Sequence, residues 1–331
     1  MTDEDFTEYL TECIEEQASD LYILPKDNMY QLSYHSKLQL TTLAEVNREK
    51  GIQMINFFKY RANMAVSEHR RPQVGSLKWH SESNLDEELN LRLSTVGDFN
   101  GDESMVIRFI YSLENLDQHE LIDGQIEALN QIGAKRGLML FSGPMGSGKT
   151  TTMYQLARRY SQHQVVMTIE DPVEIEEDNF IQLQVNQKAN MDYEELLKVG
   201  LRHRPEVFVI GEIRDSKTAK MAVQAALSGH LVMATVHAKN VYGVIQRMQQ
   251  LGIEDHYLAQ TLSGICYQRL IATTDDQMAP LYDILADGQL SMALNEANLE
   301  TGMTKDWGRH LADLVETGRI TRKTAQTFQA G

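Results

Sequence analysis

Apolar residues follow two different rhythms along this chain. Up to about residue 112, short helical and alternating patterns are mixed. Phe6, Leu10 and Cys13 recur at helical spacing over Asp3–Cys13. Asp20–Pro25 reads as a strand stopped by its proline, and Met29–Tyr34 as its hairpin partner. Ile52, Ile55, Phe58 and Ala62 share one face of a helix over Ile52–Met64, whereas Leu89–Ser94 and Ser104–Tyr111 alternate in the manner of strands around the turn-rich Gly97–Asp102. These elements predict a small α+β domain over residues 1–112. From residue 123 the pattern changes to continuous apolar runs separated by helices. Gly137–Ser142, Val165–Ile169, Val207–Ile210 and Leu231–Val236 are strand-sized, and Thr150–Tyr160, Thr218–Ser228 and Val241–Gln250 have helical periodicity. Strands without alternation, placed between helices, predict a parallel-rich α/β sheet covered on both faces. The tail to Gly331 reads as short helices, and the polar, acidic stretch 113–122 as a linker.

With 331 residues, two domains are the simplest division. No apolar run approaches the ~18 residues of a membrane-crossing helix. The acidic start, Met1-Thr-Asp-Glu-Asp, has no secretory signal pattern, so a cytoplasmic location is expected. Two cysteines are too few for a disulfide framework or a four-thiolate zinc site. Acids outnumber bases 47 to 31, a formal charge of −16, which removes any bulk attraction to nucleic acid or anionic lipid. Direct nucleic-acid binding is therefore not expected.

One motif dominates the chemistry. Gly143-Pro144-Met145-Gly146-Ser147-Gly148-Lys149-Thr150 fits the phosphate-loop pattern, with a strand before it and a helix after it. Its glycines let backbone N–H groups approach phosphate oxygens, and the helix that follows presents its positive end. Lys149 is placed for the β- and γ-phosphates of ATP, and Thr150 for Mg²⁺; Thr151 begins the helix beside them. Val207–Ile210 is followed by Gly211 and Glu212, where a second acid near Mg²⁺ belongs. Thr168-Ile-Glu170-Asp171-Pro-Val-Glu174 sets three carboxylates after a buried strand, either as a water-orienting acid near the γ-phosphate or as a solvated acidic turn.

Two histidines flank the strand Leu231–Val236. His237 falls at its carboxyl end, the ligand-facing edge of such sheets; His230 falls at the opposite edge if the strand is straight. A hydrogen-bonded structural role is the alternative for either. His69, Arg70 and Arg71 with Lys59 and Arg61 form a basic cluster. It reads as a solvated face or as a contact to phosphate or to an acidic neighbour.

Taken together, Gly143–Thr150, Thr168–Glu174, Val209–Asp215 and Gly229–His237 resemble, in order and spacing, the type II secretion and type IV pilus assembly ATPases. Gln182–Asn186, Thr218–His230, Ala18–Pro25, Met64–Gly75 and Leu91–Thr95 extend the likeness from about residue 15 to 290. The resemblance implies a RecA-like P-loop ATPase domain over 123–331 with a helical tail, preceded by a PAS-like amino-terminal domain. It further implies a homo-hexamer that hydrolyses ATP at a cleft between its two domains, at the cytoplasmic face of the membrane. Its implied partners are a polytopic inner-membrane platform protein and, indirectly, pilin-like subunits. By resemblance Glu170 positions or activates water and Glu212 sits near Mg²⁺. His230 and His237 form a histidine box, and Arg92, Arg108 and Arg202 reach the phosphates. Lys198 stands where the family often has a further arginine, and lysine lacks the bidentate fork. The family's four-cysteine zinc insertion is missing after Gln268-Arg269-Leu270, and no extra amino-terminal docking domain is expected. This short, zinc-free form is most similar to the competence ATPases of Gram-positive bacteria, which implies assembly of a pseudopilus for DNA uptake. Pilus retraction, type II secretion and nucleotide-dependent regulation are the alternatives.

Overall fold

A computed structural model describes residues 4–36, 39–80, 88–111, 120–275, 277–295 and 302–331. The chain divides into two compact units, Met1–Leu116 and Asp117–Gly331.

The first unit consists of α1 (Glu4–Glu15), β1 (Asp20–Lys26), β2 (Met29–Ser36), β3 (Gln39–Asn47), α2 (Arg48–Arg61), β4 (Gln73–His80), β5 (Glu88–Gly97) and β6 (Glu103–Ile110). Its strands form an antiparallel sheet in the order β3-β2-β1-β6-β5-β4. Leu10, Cys13, Ile23, Leu32, Met54, Phe58, Leu91 and Ile107 build one core between this sheet and the helices. The edge strands β3 and β4 go beyond the sequence reading. β3 is mostly exposed, so its side chains carry little burial pattern. Helix α2 starts where the Asn47 side chain accepts the Lys50 N–H at 2.8 Å.

Within the basic cluster Arg61 lies over the Phe57 and Trp79 rings, while Lys59, His69, Arg70 and Arg71 meet acids. Lys59 is fully buried and donates to both Glu103 carboxylate oxygens, at 2.8 and 3.1 Å. His69 Nδ1 lies 2.9 Å from the same carboxylate. The Arg70 and Arg71 backbone N–H groups donate to Glu68. A buried ammonium needs such a partner, because leaving it unpaired costs several kcal/mol.

The second unit follows as α3 (Gln125–Ala134), β7 (Gly137–Ser142), α4 (Lys149–Ser161), β8 (Val166–Glu170), β9 (Phe180–Gln184), α5 (Tyr193–His203), β10 (Val207–Ile210), α6 (Ser216–Leu227), β11 (Leu231–Thr235), α7 (Val241–Gln250), α8 (Asp255–Thr261), β12 (Leu262–Ala272), β13 (Met278–Ala286), α9 (Asp287–Asn295), α10 (Lys305–Glu316) and α11 (Arg322–Thr327). The sheet order is β13-β12-β7-β11-β10-β8-β9, parallel throughout except for the antiparallel β12–β13 pair. This is the α/β fold with a parallel-rich sheet. Val207, Phe208, Val209 and Ile210 are all fully buried, as expected for a strand with helices on both faces. Asp192, Asp215 and Asn240 cap α5, α6 and α7 through their side chains.

The expectation of helices alone in the tail is corrected by β13. Its hairpin with β12 turns at a polar segment where the Thr273 N–H donates to Gln277 O at 2.9 Å. Pro280, which argues against a central strand, is accommodated because β13 is the edge of the sheet. β9 was also not predicted. Of the expected linker, residues 113–119 lie outside the described residues; Leu121 is buried against Trp307 and Leu311 in the second unit.

Asp283 of β13 is buried, and Thr304, the cap of α10, donates to it through its hydroxyl and through its N–H at 3.1 Å. Burial pushes this carboxyl up to about 6 despite the two bonds from Thr304. The folded state therefore holds a proton that the unfolded chain, near 3.9, has released. Stability from this group is present below about pH 4 and lost as pH rises to about 6. An Asp283→Asn variant lacks this loss. Its Tm relative to wild type should rise by roughly 5 °C between pH 4.5 and 7. Calorimetry at the two pH values checks this, and an unchanged difference refutes it.

Candidate nucleotide site

Parallel pairing places the carboxyl ends of β7, β11, β10 and β8 along one edge of the sheet. In register, Phe141 lies beside Thr235, Ala234 beside Ile210 and Ile210 beside Ile169. Residues at or just beyond the ends of these strands, Gly143–Gly148, Glu170, Glu212 and His237, therefore converge on that edge. Short bonds stitch it together. The Val236 N–H donates to Phe141 O, Ile213 N–H to Thr235 O and Gly211 N–H to Ile169 O, all at 2.9 Å. The Ser142 hydroxyl bonds the Ala238 carbonyl and amide at 3.1 and 3.0 Å.

The loop glycines have local reasons. Gly143 has φ +145°, and a Cβ there would stand 2.3 Å from Gln268 O. Gly148 has φ +82°, and a Cβ would stand 2.9 Å from Gln268 Nε2. Gln268, fully buried on β12, thus packs behind both ends of the loop, and its amide donates to Ser147 O at 2.6 Å. Gly148 precedes α4 without a side-chain cap, unlike the residues before α5, α6 and α7. The first N–H groups of α4 lack a side-chain partner, an arrangement suited to phosphate.

Lys149 folds back on the loop, donating to Gly143 O at 3.0 Å and Pro144 O at 2.7 Å. Burial lowers its ammonium from the ordinary lysine value, while Glu174 and Glu212 act in the opposite direction. Thr150 and Thr151, both half-buried, open α4, while Pro144, Met145 and Gly146 form the exposed crest of the loop. An open cleft of about 480 Å³ lies beside the start of the loop, lined by Gly143, Pro144, His237, Ala238, Lys239, Tyr267, Ala330 and Gly331.

The two acids differ in setting. Glu170 is 4% exposed and accepts the hydroxyl proton of Tyr154 from α4. Glu212 is partly exposed; it pairs with Arg214 and lies 3.5 Å from His237 Nε2. Among the described residues no group of three or more His, Cys, Asp or Glu is placed to hold a metal. A hydroxyl and a single carboxylate, Thr150 and Glu212, instead suit Mg²⁺, which keeps most of its ligands as water and substrate phosphate.

The structure does not bring every candidate to this edge. His230 precedes β11 and lies at the amino end of the sheet, a strand length of about 17 Å away. Its Nδ1 lies 2.7 Å from Pro205 O, and its ring stands edge-on to Phe208 at 5.2 Å. Within this unit it stands apart from the phosphate loop, at the opposite edge that the sequence reading gave it. Arg202, exposed in the last turn of α5 before β10, lies at that same far edge. Lys198 on α5 is held by Glu194 and Glu195 at 2.9 and 2.7 Å. Arg92 and Arg108 are directly opposite one another on β5 and β6 of the first unit, and Arg108 bonds Asp20 at 2.9 Å. Two contributors, Tyr154 and Gln268, escaped the sequence reading. The available signal was a hydroxyl and an amide on otherwise apolar buried faces, which oblige a partner.

The sequence profile of the family described as "Type II/IV secretion system protein" matches residues 2–321. The chain belongs to this family. Competence protein ComGA of Streptococcus pneumoniae is 39% identical over 310 residues, covering 94% of this chain and 93% of that one. Putative type II secretion system protein E of Escherichia coli is 34% identical over 270 residues, 79% of this chain and 53% of that one. The Legionella pneumophila ATPase DotB superposes with a TM-score of 0.78 at 17% identity, covering 100% and 96% of the two chains, and shares the fold of this secretion-system protein.

Proposed function

We propose that this type II/IV secretion system protein hydrolyses ATP as a hexameric motor, powering assembly of a type IV-like pseudopilus in DNA uptake. One observation carries the ATPase reading: parallel topology delivers the phosphate loop, Glu170 and Glu212 to one sheet edge. The high coverage of the Streptococcus pneumoniae competence protein in both directions supports the competence role.

Loop N–H groups and Lys149 bind the phosphates and offset charge that develops during transfer. Thr150 and Glu212 are the residues that hold Mg²⁺, which when bound neutralises charge on the phosphate oxygens. Glu170 orients the attacking water and accepts its proton. Arg92, Arg108 and Arg202 serve as phosphate contacts within or between subunits, and His237 senses occupancy through Glu212. No described helix is long and apolar enough to cross a membrane. In this reading, attachment to the cytoplasmic face comes through a polytopic platform protein, which passes motion to pilin-like subunits.

Steady-state phosphate release from Mg²⁺–ATP by the purified protein tests the enzymatic core of this reading. Turnover above a protein-free control is expected. Stoichiometric nucleotide binding without release would identify a regulatory binding protein instead.

A further inference from the structure

Helix α4 does more than present its amino end to phosphate. Five residues beyond Lys149, about 7.5 Å along the axis, Tyr154 turns its ring inward beneath the acidic segment. The ring is fully buried and packs against Phe180 at 5.4 Å. Its hydroxyl meets Glu170 Oε1 on one side and Gln182 Nε2, at 2.9 Å, on the other. One helical turn on, Arg158 pairs with Glu177, so the same face of α4 grips both ends of the segment 170–177.

We propose that Tyr154 is a positioning residue for Glu170, with Gln182 fixing the direction of its hydroxyl proton. This rests on the reading of Glu170 as the water-orienting acid. The proton direction follows from counting donors. The Gln182 side-chain oxygen accepts the Glu177 backbone N–H at 2.8 Å, and its nitrogen donates to Ile175 O at 2.7 Å. Both partners have fixed polarity, so the amide cannot be flipped. Its nitrogen must then donate to the tyrosine oxygen. The phenol has one hydrogen, which goes to Glu170. A hydrogen bond to a buried carboxylate is charge-assisted and directional, so it favours the carboxylate form and fixes its aim. Burial and the adjacent Glu170 charge both raise the Tyr154 phenol well above its ordinary value, so it remains a donor at working pH. Because α4 begins at the phosphate loop, the seat of the phosphates and the aim of the acid share one rigid element.

Other charged or titratable groups near Glu170 are Asp171 on its own segment, Tyr193 from α5, and Glu212 and Arg214 after β10. A Tyr154→Phe variant leaves all of them in place and keeps the ring. Single-turnover ATP hydrolysis should be measured against pH, together with affinity for a fluorescent ATP analogue and Tm. The expected result is a rate about tenfold lower, affinity within twofold of wild type, and the acidic limb moved up by about one pH unit. Gln182→Met should move rate and limb in the same direction by less. Glu170→Gln is measured in parallel. If it is inactive while Tyr154→Phe keeps the wild-type rate and limb, the positioning role falls and the reading of Glu170 stands. If Tyr154→Phe loses rate and affinity together with the limb unmoved, its role is only structural and the proposal is overturned. If Glu170→Gln itself turns over normally, the underlying reading of Glu170 fails.

Discussion

Replacing Lys149 with alanine should lower ATP hydrolysis by at least about a hundredfold while leaving the fold intact. The ammonium is the one side-chain cation of the loop itself. It is carried on the first residue of α4, and among the described residues its hydrogen bonds go to the carbonyls of Gly143 and Pro144. Its removal therefore leaves no buried charge unpaired, and the cost to stability should stay within about 1 kcal/mol. The effect on turnover is large because charge on transferring phosphoryl oxygens develops in a partly desolvated site, where a fixed cation counts for more than in water. Phosphate release and a thermal melt of the same preparation separate the two effects. Wild-type turnover by folded Lys149→Ala protein would falsify the phosphate-loop assignment.

Glu170→Gln should lower kcat by roughly 10²- to 10⁴-fold with little change in affinity for ATP. Glutamine keeps the shape, and its carbonyl oxygen still accepts the Tyr154 hydroxyl, so the side chain stays where the carboxylate was. What is lost is the ability to take a proton. The variant should therefore retain ATP, and nucleotide recovered from the protein after incubation should be largely unhydrolysed. ADP accumulating at the wild-type rate would remove Glu170 from the chemistry. The companion acid, Glu212, is already engaged by Arg214 and His237 and cannot be substituted for it without moving across the sheet edge.

Much of the second unit was legible in the sequence because its strands are buried on both faces. Val241–Gln250 was predicted and observed with the same limits, and Val207–Ile210 likewise. The phosphate loop, Glu170, Glu212 and His237 could be placed at the carboxyl ends of buried strands from their positions after apolar runs, whereas the order of those strands came from the structure. Elements without a burial signature were harder to read. β3 is an edge strand exposed over most of its length, and β13 carries a proline that normally argues against a strand. Lys59 illustrates a different limit. Its charge suggested a solvated face or a contact to phosphate or an acid, and the carboxylate that makes its burial tolerable is Glu103 on β6, 44 residues along the chain. The partners of Glu170 and of the loop glycines were hidden for the same reason. Tyr154 and Gln268 acquire their roles only when α4 crosses toward β8 and β12 pairs with β7.

The amide of Gln268 has a consequence for protein engineering. An octapeptide transplanted into another strand–helix junction would carry its glycines but not β12, whose Gln268 backbone carbonyl and side-chain amide are the surfaces against which Gly143 and Gly148 are fitted. The smallest portable unit is therefore not a contiguous motif. It is two neighbouring strands and the crossover helix between phosphate and acid, and a chimera that exchanges only the loop should inherit its letters without its shape.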